Sequence, residues 1–274
     1  MISIITAIYN LLDMNKLFYE YLEKYTSLPY ELIIIDNGST DGSREFFQSK
    51  GVQVICNEGN YSYPHCQNQG IAVAKYEYMA FLNNDMLVSK DWDRRAIEIM
   101  QYHNLEVATC CAIEKMENKD VTYHYHKKWK YIRNPLLFLF GTKRFNLKLM
   151  HYLQYGNWEK WTEKRYQKFG KSIQEGIAGS NVIIKRSAFD KIGTWDERLQ
   201  AADFDIFLRS KVRSVSHSDI KPVHIMLGLY LHHFLRLSVK TVKYPPFVDG
   251  ENIIPLLKKW DMEQVRPYLE AADM

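Results

Sequence analysis

The sequence predicts an α/β protein: a mostly parallel, twisted sheet flanked by helices, interrupted by a basic aromatic insert and followed by a C-terminal extension. Three observations carry this. Over the first 110 residues, short apolar runs alternate with helical patterns, the signature of βαβ units. The runs end in polar residues, as strands of an open parallel sheet do where they meet a ligand crevice. Between 115 and 171 the alternation gives way to aromatic and basic residues, and it resumes at Gly176.

In order along the chain, residues 2–8 read as a strand and 13–25 as a helix with Leu17, Tyr21 and Leu22 at helical spacing. Residues 31–35 form a second strand. The polar turn 36–42 then leads into a helix over 43–50. The pattern repeats with a strand at 52–56, a helix at 64–74 and the strand YMAFL at 78–82, broken by Asn83, Asn84 and Asp85. A helix over 92–102 and a strand over 107–113 follow. Residues 115–171 predict two or three helices. The segment GIAGSNVIIK (176–185) is a loop feeding a strand, followed by helices at 186–192 and 203–210 with the turn Gly193, Thr194, Trp195, Asp196 between them. Pro222, Pro245, Pro246 and Pro255 punctuate a tail of extended segments with a short helix near 255–259.

A chain of 274 residues with 46% apolar side chains can bury a sizeable core. No stretch approaches the roughly 18 apolar residues that span a bilayer, and LLFLF at 136–140 is far too short. The opening MISIITAIYN has no basic leader region or small-residue cleavage site, so the expectation is a cytoplasmic protein. Cys56, Cys66, Cys110 and Cys111 lack metal-ligand spacing and suit buried thiols in a reducing compartment. The net charge of +4 conceals an asymmetry: residues 115–171 hold fourteen Lys/Arg against four Asp/Glu, a local +10 that leaves the remainder at −6. Such a face fits an anionic partner, either anionic lipid on the inner face of the membrane or a charged glycan, and equally a solvated helical insert. Nothing else in the chain supports nucleic acid as the partner.

The strand ends supply the candidate chemistry. The first runs into Thr6, Ala7, Tyr9 and Asn10, the second into Asp36, Asn37 and Ser39, the fourth into Asn83, Asn84 and Asp85. Asp36 can accept hydrogen bonds from a base or ribose, or cap its own turn. Asp85, at the end of a buried strand, can hold a divalent cation against a pyrophosphate, although an Asn-Asn-Asp triplet is also an ordinary polar turn.

Taken together, SIITAIYN, ELIIIDNGSTDGS, NEGNYSYPHCQNQGIAVAKYEYMAFLNND and GIAGSNVIIKRSAFDKIGTWDERLQAADFDIFLR resemble, in order over 1–112 and 174–212, the blocks of the family 2 glycosyltransferases of GT-A fold. The resemblance implies an inverting enzyme that uses a UDP-, GDP- or dTDP-sugar with Mn²⁺ or Mg²⁺ and a glycan or lipid-linked acceptor, in surface polysaccharide biosynthesis. It implies a nucleotide-sugar-binding half over 1–112, the insert over 113–173, an acceptor-side half over 174–240 and the extension over 241–274. Thr6, Ala7, Tyr9, Asn10, Asp36, Ser39, Asn60, Asn68 and Asn84 are expected on the nucleotide. Asn83, Gly179, Ser180, Trp195 and Asp205 are expected on the donor or acceptor sugar, with Trp195 equally readable as core. Asp85 is expected on the metal, helped by a C-terminal histidine. Of the neighbours His232 and His233 only one can face the site, and His233 is taken. Asp203 is expected to be the base, although Ala202 stands where the family has Glu, and an N-cap role is compatible. A homodimer is compatible with the chain. A nucleotidyltransferase, or a non-catalytic scaffold of this fold, is the alternative.

Overall fold

A computed structural model describes residues 1–261, 263 and 265–267. The chain runs β1 (Ile2–Ile8), α1 (Leu12–Tyr25), β2 (Tyr30–Asp36), α2 (Ser43–Ser49), β3 (Gln53–Cys56), α3 (Tyr63–Val73), β4 (Tyr78–Leu82), β5 (Met86–Leu87), α4 (Trp92–His103) and β6 (Val107–Cys111). Three helices follow: α5 (Lys119–Phe140), α6 (Arg144–Tyr155) and α7 (Trp158–Phe169). The chain then forms β7 (Ile173–Glu175), β8 (Asn181–Lys185), α8 (Ala188–Ile192), α9 (Ala202–His217), β9 (His224–Tyr230), β10 (His232–His233), α10 (Leu237–Thr241) and α11 (Leu256–Lys259). Among the described residues no helix is long and apolar enough to cross a membrane.

One eight-stranded sheet has the order β3-β2-β1-β4-β8-β6-β9-β7. The strands β3, β2, β1 and β4 are parallel, and β8 runs against both β4 and β6. Helices cover both faces, so β1 and β4 are buried along nearly their whole length rather than at alternate residues. The register matters for function. Ile8 pairs with Asp36 and Asp36 with Cys56, so the first three strands end level. Leu82 pairs with Asn181, and the Asn83 N–H donates to the Ser180 carbonyl at 3.1 Å, which joins the two separated halves of the sequence at one edge.

Three strands escaped the sequence reading. β5 and β7 have two or three residues each, too short for any periodicity, and β9 (HIMLGLY) lies within the proline-punctuated tail of extended segments yet is a largely buried strand between β6 and β7. His232 and His233 do share a strand, β10, as their expected opposite facing requires. α9 runs on to His217, seven residues past the expected end. β6 stops at Cys111 instead of 113 because Ala112 and Lys115 close a tight turn by reciprocal backbone bonds, which lifts Glu114 out of the sheet. The insert forms three helices. Their inner faces bury Trp129, Tyr155 and Trp158 against β9 and β10, with the Tyr155 and Tyr230 hydroxyls 2.6 Å apart.

Candidate active site

Beyond the carboxyl ends of β1, β2 and β4 lies a cavity of about 410 Å³. Its walls are Ala7, Tyr9, Asn37, Asn60, Tyr61, Tyr63, Asn83, Asn84, Asp85, His233, Arg236, Tyr244 and Phe247. A cavity of about 590 Å³ opens at the other end of β4, around Tyr78 and Glu106, away from the strand ends where ligands of such sheets collect.

The acidic corner is built by a two-residue ribbon. β10 pairs antiparallel with β5, His233 opposite Met86, and the Phe234 N–H donates to the Asp85 carbonyl at 2.9 Å. This sets His233 Nε2 3.3 Å from Asp85 Oδ1. On the other side of the ring, Nδ1 lies 3.1 Å from Glu114 Oε2, while the second Glu114 oxygen accepts from the Ser180 hydroxyl. Burial alone would lower the His233 pKa, but Glu114 and Asp85 more than offset this and hold it well above the usual histidine value. Glu114 is pushed the other way. Burial would raise it, yet the His233 charge and the hydrogen bonds from His233 and Ser180 leave it below the ordinary carboxylate range. His232 faces away, as strand alternation requires. Its Nδ1 meets the Tyr155 hydroxyl at 2.9 Å, its ring packs on Trp129, and burial drives its pKa well down.

Once the imidazole gives up its proton to an incoming cation, Asp85 and His233 would offer one oxygen and one nitrogen donor on the cavity wall, a set that suits a divalent cation completing its shell with phosphate oxygens. Glu114 would orient the imidazole from behind. No group of three or more His, Cys, Asp or Glu positioned for a metal ion occurs among the described residues. With two donors on the wall, Asp85 and His233, most of a cation's shell would be left to oxygens of a bound diphosphate.

Asp203 lies in the first turn of α9, two residues past the N-cap, which is Ala201 and not Asp203. Gly179 packs so closely on the Asp203 carboxyl that any Cβ there would overlap it. Burial raises the Asp203 pKa, partly opposed by hydrogen bonds from the first-turn amides. A carboxyl of this kind gains proton affinity, the property a general base needs.

Several expected contacts stand behind the wall. Asp36 is fully buried, with Oδ2 held by Arg44 Nε at 2.6 Å and Oδ1 by the Ser39 N–H at 3.0 Å, so here it caps its own turn. Ser39 Oγ accepts from the Asn10 N–H at 2.8 Å and Asn10 Oδ1 from the Thr40 N–H at 2.8 Å, which locks the β1 and β2 loops together. Thr6 is buried with its hydroxyl unpartnered. Asn68 clamps the backbone of Trp195 through both side-chain atoms, at 2.9 and 3.1 Å, and stays off the cavity wall. Trp195 is 2% exposed, edge-on to Tyr63 and Phe81, so the ring belongs to the core and offers no face to a sugar. Asp205 is buried between Arg209, Lys259 and the Trp260 indole, where it ties α9 to the C-terminal segment instead of touching a sugar. Ala7, Tyr9, Asn60, Asn83, Asn84, Asp85 and His233 do line the cavity; Gly179 and Ser180 border its acidic side.

Tyr61, which the family resemblance sets beside Asn60 near the donor, also lines the cavity, whereas Glu114, Tyr63, Arg236, Tyr244 and Phe247 were missed. Glu114 was legible, being the first polar residue past the apolar run VATCCAI, the same strand-end position that singled out Asp85. Arg236 sits in the left-handed region (φ 62°) just after β10 and makes no ion pair among the described residues. The preceding Leu235 carbonyl accepts from Trp129 Nε1 at 3.2 Å and Arg133 Nη1 at 2.6 Å, so the insert braces this turn.

Sheet order, strand-end cavity and acidic corner together define a protein of the GT-A type. The family model for glycosyl transferase family 2 matches residues 3–193, and the chain belongs to that family. Glycosyltransferase GlyG of Streptococcus pneumoniae serotype 4 (strain ATCC BAA-334 / TIGR4) is 30% identical over 112 residues, covering 39% of this chain and 37% of the relative. The chain thus matches little more than a third of that relative's length. Among solved structures, S. aureus TarS 1–349 in complex with UDP-GlcNAc superimposes with a TM-score of 0.55 at 14% identity, over 100% of this chain and 67% of TarS 1–349. The TarS 1–349 complex with UDP gives 0.51 at 15%, over 84% and 60%. At such identity the likeness is one of fold.

Proposed function

We propose that this chain is an inverting glycosyltransferase that moves a sugar from a nucleoside-diphosphate sugar to a hydroxyl of a glycan or lipid-linked acceptor, at the cytoplasmic side of surface polysaccharide assembly. The observation that carries the reading is the pairing of Asp85 with His233 on a strand-end cavity whose neighbouring carboxyl, Asp203, has a raised pKa. The TarS complexes with UDP and UDP-GlcNAc support a nucleotide-sugar donor, because the fold is shared. Tyr9, Tyr61, Tyr244 and Phe247 give the cavity an aromatic side suited to a base, and Asn60 and Asn84 offer polar groups to a ribose or phosphate.

The diphosphate lies toward Asp85, His233 and Arg236. A bound Mn²⁺ or Mg²⁺ held by Asp85 and His233 would neutralise charge on the leaving diphosphate. Arg236 supplies a fixed positive charge to the same oxygens. On the other side of the anomeric carbon the acceptor hydroxyl attacks as Asp203 takes its proton, which inverts the configuration. We read 1–112 as the donor half, 174–240 as the acceptor half and 241–274 as an extension that reaches the cavity through Tyr244 and Phe247.

The test is release of nucleoside diphosphate from a panel of UDP-, GDP- and dTDP-sugars with Mn²⁺. One donor should give metal-stimulated release that collapses in Asp85→Ala and Asp203→Ala. Pyrophosphate release from a nucleoside triphosphate would overturn the reading in favour of a nucleotidyltransferase, and no metal-dependent nucleotide binding at all would favour a scaffold.

A further inference from the structure

The insert's helices are amphipathic in an unusual sense: after their inner faces are buried, an apolar surface is left over. α6 packs Leu147, Met150, His151 and Tyr155 inward, yet Phe145, Leu149, Tyr152 and Leu153, spaced i, i+4, i+7 and i+8, face outward and are exposed. The end of α5 does the same with Phe138, 89% exposed, and Leu139, 63% exposed. Phe140 and Phe145, on either side of the turn between the helices, meet edge to face at 5.7 Å, which makes the two stripes one continuous tip. Contiguous exposed apolar surface of this kind marks a docking site.

Beside the tip the surface becomes cationic. Tyr123, His126, Lys127, Lys130, Tyr131 and Asn134 line a groove of about 520 Å³ along the outer side of α5. Aromatic and aliphatic side chains at a projecting turn, with tyrosines and lysines just above them, form the pattern of a helix seated at a bilayer interface. Charge selects among occupants. A second copy would bring one +10 insert against another, whereas an anionic bilayer is complementary to it.

We infer that the α5–α6 tip docks on an anionic lipid surface, with Phe138, Leu139, Phe145 and Leu149 entering the headgroup boundary and Lys127 and Lys130 resting on the lipid phosphates. The same α5 grips the Leu235 carbonyl from its inner face through Trp129 and Arg133, so docking fixes the Arg236 wall of the cavity relative to the membrane. That last consequence rests on the proposed transferase reading; the docking itself does not.

Flotation of the full chain with phosphatidylcholine vesicles, with and without about one-third phosphatidylglycerol, tests it. The chain should float with the anionic vesicles, about ten-fold less with neutral ones, and less at high salt. Phe138→Ser/Leu139→Ser/Phe145→Ser should remove binding while circular dichroism, melting temperature and donor hydrolysis stay unchanged, since those side chains are exposed and none of them lines the cavity. Lys127→Glu/Lys130→Glu should remove the preference for anionic vesicles. Failure of the wild type to float, flotation of the serine variant equal to wild type, or a wild-type dimer that the serine variant converts to monomer in light scattering would each overturn the inference. Flotation without any transferase activity would leave docking standing and remove only the catalytic reading.

Discussion

Glu114 and His233 are bound to each other, Oε2 to Nδ1 at 3.1 Å, so the imidazole presents its other nitrogen to Asp85 with a fixed orientation. A ligand held this way is tuned from behind, and removing the support typically costs about 10- to 100-fold in metal affinity or activity. Glu114→Gln keeps the shape but loses the charge. Calorimetry with UDP and Mn²⁺ should show weakening of that order, while UDP binding without metal changes far less. Equal weakening in both titrations would mean that Glu114 only supports the fold.

Asp203→Asn separates chemistry from stability. Loss of a positioned base costs about 10²- to 10⁴-fold in rate. Stability should move the other way. Burial raises the folded-state pKa of Asp203 above its unfolded value, so its favourable contribution is present below the ordinary carboxylate pKa and is lost as pH rises through the folded value. At neutral pH the ionised carboxyl is therefore a burden that Asn relieves. A melting temperature at pH 7 that is unchanged or higher, beside the lost activity, is the expected result. In the wild type kcat/KM should rise with pH through that raised value, and the limb should vanish in the variant.

The sequence revealed the parallel half and the strand-end positions because both follow from local pattern. Apolar runs of five to seven residues mark β1, β2 and β4, and the polar residue that ends each one is visible in the same line of text. What separated true wall residues from their neighbours was the direction and partner of a side chain. Asp36 and Asp85 look alike in sequence, but an Arg eight residues on claims the first and a histidine 148 positions away faces the second. Trp195 became core because Asn68 pins its backbone across 127 residues. Pairings of that range leave no periodic trace.

Among the described residues Arg236 has no ion pair to lose, so its removal tests ligand binding cleanly. A charge-assisted contact with a phosphate is worth about 1.5–3 kcal/mol, which corresponds to a rise in donor KM of about ten- to hundred-fold for Arg236→Ala. The melting temperature should stay within a degree or so of wild type, as is usual for exposed positions. A large drop in stability with unchanged KM would count against Arg236 as a diphosphate contact.

Trp195→Ala tests the core role that its burial against Tyr63 and Phe81 assigns it. Truncating a fully buried indole costs about 3–5 kcal/mol, and here it would also undercut Tyr63 on the cavity wall. Chemical denaturation should show that loss. Retained stability with a selective rise in acceptor KM would restore the stacking role.

The C-terminal segment reaches the cavity through few anchors, and Asp249 is the strongest of them. Its two oxygens accept from the Ser62 N–H at 2.9 Å and the Ser62 hydroxyl at 2.5 Å, at the start of α3. The Ser62 hydroxyl consequently leaves α3 without a side-chain cap and spends itself on the strap. Two further bonds, Val248 N–H to the Asn60 carbonyl and Asn60 Nδ2 to the Pro245 carbonyl, both at 2.8 Å, hold the stretch between. Nearly every other strap residue is exposed, so little apolar burial backs these bonds up. Their purpose is positional: they lay Tyr244 5.3 Å from Tyr9 and set Phe247 on the same wall. Removing the charged acceptor should release about 1–2 kcal/mol of local attachment without touching the sheet. Asp249→Ala should therefore raise donor KM about five- to thirty-fold, leave kcat and the global melting temperature nearly unchanged, and open residues 243–249 to limited proteolysis. Saturating donor should restore protection, because a ligand on the wall that Tyr9, Tyr244 and Phe247 form together binds only the closed strap. A variant that is cut no faster than wild type, or that loses kcat instead of donor affinity, would show that the strap is not what holds the donor.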